Sequence, residues 1–190
     1  NGDEVCDGTD DAACPGACSA GCTCGVCPTA PVPTCIDAGK HSLLIRDNVI
    51  NDRDIFKWKW AKGGAFDQID LGDPESTTSY TLCVYDSSGG VDSLATSFAI
   101  APGSNWTDID PKGFKYKDKF RTSSGVLKAQ IRTGDLGRTK ALVIAKGGNV
   151  PMPAPFGPTF FEQSPRVTVQ LHNDATSSCL GSEFTSNKKN

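Results

Sequence analysis

Histidine is scarce in this chain: His41 and His172 are the only two among 190 residues. That leaves little material for a Ser-His-Asp arrangement, which needs a nucleophile set beside a base. His172-Asn173-Asp174 has serines nearby, but no G-x-S-x-G elbow accompanies it. Glu75, Glu162 and Glu183 stand apart, so no carboxylate pair of the glycosidase kind is marked. Gly134-Asp135-Leu136-Gly137 reads as a hairpin turn and not as a phosphate-binding loop. We therefore read the chain as no enzyme. No apolar run approaches the roughly 20 residues that cross a bilayer, so no membrane span is expected. Net charge is −3 and the pI about 5.3, which gives no whole-chain basic signature for nucleic acid. No signal peptide is visible either. The chain opens Asn1-Gly2-Asp3-Glu4, so a signal is expected to have been removed or to lie upstream.

Charge and cysteine divide the chain in two. Residues 1–35 hold five acids and no Lys or Arg, while the other 155 residues carry 19 basic and 17 acidic groups. Seven of the nine cysteines also fall in the first 35: Cys6, Cys14, Cys18, Cys22, Cys24, Cys27 and Cys35. That segment has no aromatic residue, and only Val5, Val26 and Val32 are large aliphatics. It cannot build an apolar core, so cross-links are expected to hold it. Zinc is the rival reading, through Cys24-Gly25-Val26-Cys27. The irregular spacings and the lack of a nearby His argue against it. Asp7, Asp10 and Asp11 offer oxygens for calcium, although the full EF-hand loop is missing; Asx-turns on a solvated loop are the alternative. Pro28, Pro31 and Pro33 make a semi-rigid extended spacer and set a boundary near residue 35.

The body, 36–190, alternates at period 2 between Gly, Pro, Asn and Asp punctuation, with no convincing helical period. Strands are expected at 42–46, 55–60, 66–71, 80–86, 94–100, 113–118, 126–132, 139–145, 167–171 and 179–184. Residues 150–165, with five prolines, read as a long loop. The expected fold is all-β: an antiparallel β-sandwich of about nine strands, preceded by a small disulfide-rich, loop-like module. Cys83 and Cys179 are remote from the N-terminal cluster, so they are expected to pair with each other. Seven cysteines then remain, an odd number. The simplest completion is a tenth cysteine upstream of Asn1, which would make Asn1 not the start of the gene product.

Two resemblances follow from these residues. Asn1-Gly2-Asp3-Glu4-Val5-Cys6-Asp7-Gly8, Asp11-Ala12-Ala13-Cys14-Pro15-Gly16, Cys18 and Cys22-Thr23-Cys24 resemble a short cysteine-rich repeat of secreted and cell-surface bacterial proteins of myxobacterial type. Ser42-Leu43-Leu44-Ile45-Arg46-Asp47, Trp106, Gly113 to Asp118, Val167 to Leu171, Cys179 and Glu183-Phe184 resemble a domain of large secreted proteins from the same group. The resemblance implies an extracellular or cell-surface location and a structural role, and no activity.

The remaining candidates concern binding. Sandwich proteins that hold sugars stack them on exposed aromatics, so Trp106 and Trp58 are the candidate ligand-binding residues. A half-buried strand is the stronger reading of the Phe56, Trp58, Trp60 alternation, with lysines on the opposite face, and it puts Trp58 and Trp106 in the core. Lys57, Lys59, Lys62, Lys112, Lys115, Lys117 and Lys119 form two basic strand faces. Such lysines guard sheet edges, or else accept an anionic polysaccharide. Asn105-Trp106-Thr107 is an N-glycosylation sequon, meaningful where the source glycosylates. The expected function is an extracellular structural or assembly protein, the subunit of a surface filament or coat. It would self-associate through strand edges or the N-terminal module. The alternative is an adhesive or carbohydrate-binding module, with or without calcium.

Overall fold

Phe56, Trp58 and Trp60 alternate with Lys57 and Lys59, and the chain buries the aromatic side of that alternation completely. A computed structural model describes residues 27–87, 90–152, 166–176 and 178–185. It contains eleven strands: β1 (Ile36–Asp37), β2 (Lys40–Arg46), β3 (Ile55–Ala61), β4 (Tyr80–Asp86), β5 (Ser93–Ile100), β6 (Trp106–Asp108), β7 (Phe114–Lys117), β8 (Val126–Arg132), β9 (Lys140–Lys146), β10 (Val167–Asn173) and β11 (Cys179–Phe184). They form two sheets, ordered β1-β11-β10-β4-β5 and β2-β3-β9-β8-β7-β6. Every pairing is antiparallel except β1 with β11. The fold is the expected β-sandwich, with two strands more than anticipated.

The inner faces meet in one core. Phe56, Trp58 and Trp60 of β3 lie against β11 and β5. The Trp58 indole N–H donates to Ser182 Oγ at 2.7 Å, and that of Trp60 donates to Gly181 O at 2.9 Å. Phe56 stacks on Phe98 with centroids 4.3 Å apart. Buried indoles that find acceptors bring large apolar area without stranding a donor.

One expected strand is absent. Phe66 makes only an isolated bridge to Gly134, and Gln68–Leu71 is a 3-10 turn. The two aspartates decide this. The side chain of Asp67 caps Asp70, while the backbone N–H of Asp67 donates to Asp70 Oδ2 at 2.8 Å. Reciprocal capping of that kind satisfies backbone donors locally and favours a turn over a ladder.

The outer face of the five-stranded sheet is crossed by residues 27–35. This strap is fixed at four points. Cys27 is bonded to Cys83 of β4, and Cys35 to Cys179 of β11. Between them, Tyr85 Oη donates to Pro28 O at 3.0 Å. Gln170 holds both backbone groups of Val32: its Oε1 accepts from Val32 N at 2.9 Å and its Nε2 donates to Val32 O at 2.8 Å. The amide side chain thus imitates a strand partner. The strap helps explain why all seven residues of β4 are buried, since its outward residues lie beneath it. At the far end Cys35 sits on Gly181, where an added Cβ would lie 3.1 Å from Cys35 Cβ.

These bonds overturn the expected Cys83–Cys179 pair. Cys83 is in register with Gln170 and Gly181, while Cys179 is in register with His172. The two cysteines are thus two strands and two residues apart, about 12 Å by sheet spacings, beyond the ~7 Å reach of a disulfide. Cys27 and Cys35 leave the N-terminal group to bond to the sandwich. Cys6, Cys14, Cys18, Cys22 and Cys24 lie outside the described residues.

Candidate functional site

Registers across the six-stranded sheet fix which side chains share its outer face. Phe56, Trp58 and Trp60 point inward, so Lys57 and Lys59 point outward. The ladder carries that parity from strand to strand. One row runs Leu44, Lys57, Ile144, Lys128, Lys117. The next runs Ser42, Lys59, Leu142, Gln130, Lys115, Thr107. Arg46 and Lys146 close one end of the face. Lys40, Lys140 and Arg132 close the other.

Ten cations therefore share one face: Lys40, Arg46, Lys57, Lys59, Lys115, Lys117, Lys128, Arg132, Lys140 and Lys146. No outward position on these strands is acidic. Nine of the ten are exposed and Lys57 is half-buried. The ion pairs among the described residues are those of Arg166 with Asp92 and Glu183, on the other sheet. None of the ten forms an ion pair with another described residue.

The face is wide. Six strands at about 4.8 Å spacing and seven residues at about 3.4 Å rise give roughly 24 by 20 Å, or about one cation per 50 Å². Neighbouring cations are then about 5–10 Å apart, comparable to the ~8 Å screening length at physiological salt. Their fields add, and an anionic chain lying across the sheet meets several at once. The middle of the face is aliphatic. Leu142 and Ile144 of β9 are half-buried between the lysines of β3 and those of β7 and β8.

Of the seven lysines singled out in the sequence, Lys57, Lys59, Lys115 and Lys117 lie on this face. Lys62, Lys112 and Lys119 occupy turns at the strand ends. The other six cations of the face were missed. Lys128, Lys140, Lys146, Lys40, Arg46 and Arg132 sit singly or at strand ends, and only the sheet order assembles them.

The tryptophans are not available to a ligand. Trp58 is 0% and Trp106 2% exposed. Trp106 is held between Tyr80 and Tyr116, each with centroids 5.2 Å away, and its indole N–H donates to Ala101 O at 3.0 Å. Their ring faces serve the core, so the sugar-stacking expectation for both is corrected.

Asp7, Asp10 and Asp11 lie outside the described residues. Among the described residues, Cys35, Cys179 and His172 bring three ligand-type atoms within 4.8 Å of one another. The two sulfurs are bonded to each other, so they offer no thiolates. Burial holds His172 below its ordinary pKa, and its Nε2 lies 3.2 Å from Gln170 Oε1. His41 is elsewhere, edge-on to Phe184. An apolar recess lined by Phe66, Leu71, Tyr80, Ile131, Leu171 and Leu180 holds no more than one or two waters. No helix among the described residues is long and apolar enough to cross a membrane. The disulfides are compatible with an extracellular location.

Compared with known proteins, the chain matches no family model, no curated protein and no solved structure.

Proposed function

We propose that this chain is an extracellular adhesive module that holds an acidic polysaccharide on the outer face of its six-stranded sheet. The observation that carries this reading is the segregation of ten cations, with no acid, on one sheet face of a net-acidic chain. Lysine dominates the face, and it suits single carboxylates or sulfates spaced along a polymer better than bidentate readout. Nucleic acid fits less well. The face is too wide for a groove and its outward positions carry no aromatic for stacking bases.

The test is binding of fluorescent polygalacturonate, with neutral dextran and duplex DNA as comparators. Polygalacturonate should bind at physiological salt and dextran should not. The triple variant Lys57→Glu/Lys117→Glu/Lys128→Glu should bind at least tenfold more weakly, since each exposed charge contact contributes about 0.2–1 kcal/mol and reversal adds repulsion. Unchanged binding by that variant, or tighter binding of DNA, would reject the reading.

A second reading, assembly through a strand edge, has one observation in its favour. β2 is a seven-residue edge paired with β3 without a bulge. The opposite edge of the same sheet, β6, has three residues. In the other sheet β1 has two, and β5 is partly capped by Ser124 Oγ on Ala99 N. A long regular edge accepts a neighbour's strand. Negative-stain images of unreduced protein, with and without chelator, test this. Ordered filaments support assembly; dispersed particles in both conditions end it.

A further inference from the structure

Cys35 immediately precedes β1, and Cys179 is the first residue of β11. Their bond therefore joins the entry of the sandwich to its last strand. A covalent path runs from Cys27 along the strap to Cys35, across the disulfide to Cys179, and out along β11 to Phe184. The sequence separation of 144 between the two cysteines lies outside that path. A stabilising cross-link need only close some loop. This one closes the loop that contains every strand except β11.

We infer that the chain is a load-bearing connector whose sandwich is shielded from tension. A pull between the residues before Cys27 and those after Phe184 travels through the strap and β11. It does not draw out residues 36–178. The Cys27–Cys83 bond adds a second protection, interleaved with the first. If the Cys35–Cys179 bond opens, tension passes from Cys27 to Cys83, and the 56-residue separation between these cysteines stays hidden. The strap itself is held down by Gln170 on Val32 and Tyr85 on Pro28, so it is seated before load arrives. This inference does not depend on polysaccharide binding; it rests on disulfide connectivity alone.

The bond pattern gives a distinctive signature. Opening Cys35–Cys179 while Cys27–Cys83 holds releases the 144-residue separation less the 56 still retained, which is 88 residues or about 310 Å of chain. Opening Cys27–Cys83 afterwards releases the remaining 56, about 200 Å. The first bond lies on the loaded path and the second does not, so force favours this order.

The experiment is single-molecule pulling on the full chain, held by its first and last residues. Without reductant, no lengthening near 310 or 500 Å should occur before the attachment fails. With dithiothreitol under constant force, a step of about 310 Å should precede one of about 200 Å. The Cys35→Ala/Cys179→Ala variant, where it folds, should give the 310 Å step without reductant. Where it does not fold, the reductant arm on the unaltered chain decides alone. A step of that size in the unreduced protein would overturn the inference, as would reductant steps that are neither of these lengths nor within the roughly 60 Å that bonds between Cys6 and Cys24 could release.

Discussion

Replacing Cys27 and Cys83 together by alanine removes one anchor of the strap and leaves no unpaired partner behind. The bond closes a loop of sequence separation 56. In the chain-entropy model that constraint on the unfolded state contributes about 4 kcal/mol at 25 °C. The native strap should stay in place. Cys35–Cys179 still ties its far end, and Gln170 and Tyr85 still hold Val32 and Pro28. The loss should therefore arise mainly in the unfolded ensemble, which becomes free to expand. Two readouts of urea unfolding follow. Stability should fall by about 2–4 kcal/mol, the lower end allowing for a denatured state that the longer loop of separation 144 already restrains. The dependence of stability on denaturant should also steepen, because more surface is exposed on unfolding. A loss below about 1 kcal/mol with an unchanged slope would refute this reasoning. It would mean that the bond adds little to what the strap's hydrogen bonds and the second disulfide already enforce.

Gly63→Ala should cost more than its one methyl suggests. An added Cβ would lie 2.0 Å from Trp60 Cη2 and 2.9 Å from Asp37 O. The indole is fully buried and cannot swing away, so a loss of about 1–3 kcal/mol in urea unfolding is expected; a neutral result would show that the strand end shifts freely. Asp118 contributes to the acid limb of stability. Burial alone would raise its pKa, but the hydroxyl and backbone N–H of Thr122 and the N–H of Phe120 outweigh that and hold it below the usual carboxylate value. A depressed folded pKa means stability present above the unfolded value, near 3.8, and lost as pH falls through the folded one. Asp118→Asn should flatten that part of the pH profile of melting temperature, and an unaltered profile would count against it.

Local pattern made most of the sandwich legible. Tyr80–Asp86, Val126–Arg132 and Cys179–Phe184 begin and end where alternation and turn residues place them. β6 and β1 were not legible, because three and two residues carry no period. The 66–71 stretch alternates like a strand, yet two aspartates with a capping arrangement outweigh that pattern. The disulfides could not be read from spacing, since pairing depends on which strands become neighbours and in what register. The basic face was half visible. Lys57 with Lys59 and Lys115 with Lys117 announce themselves within single strands. Lys128, Lys140 and Lys146 join them only because β9 and β8 lie between β3 and β7. For the tryptophans the sequence permitted two readings, and burial of Trp58 and Trp106 chose the core.

The charge segregation also changes how the molecule orients itself. Among the described residues, ten of the seventeen basic groups lie on one sheet face, and the remainder keep seven against sixteen acids, a net of −9. That part of the molecule is electrically lopsided, and the isoelectric point of the chain says little about how the face meets a charged surface. Near a negatively charged matrix it turns its six-stranded sheet inward, and near a positive one it turns that sheet away. One protein would then adhere to both cation- and anion-exchange media at neutral pH, in opposite orientations. At an interface it would form an aligned layer instead of a random one.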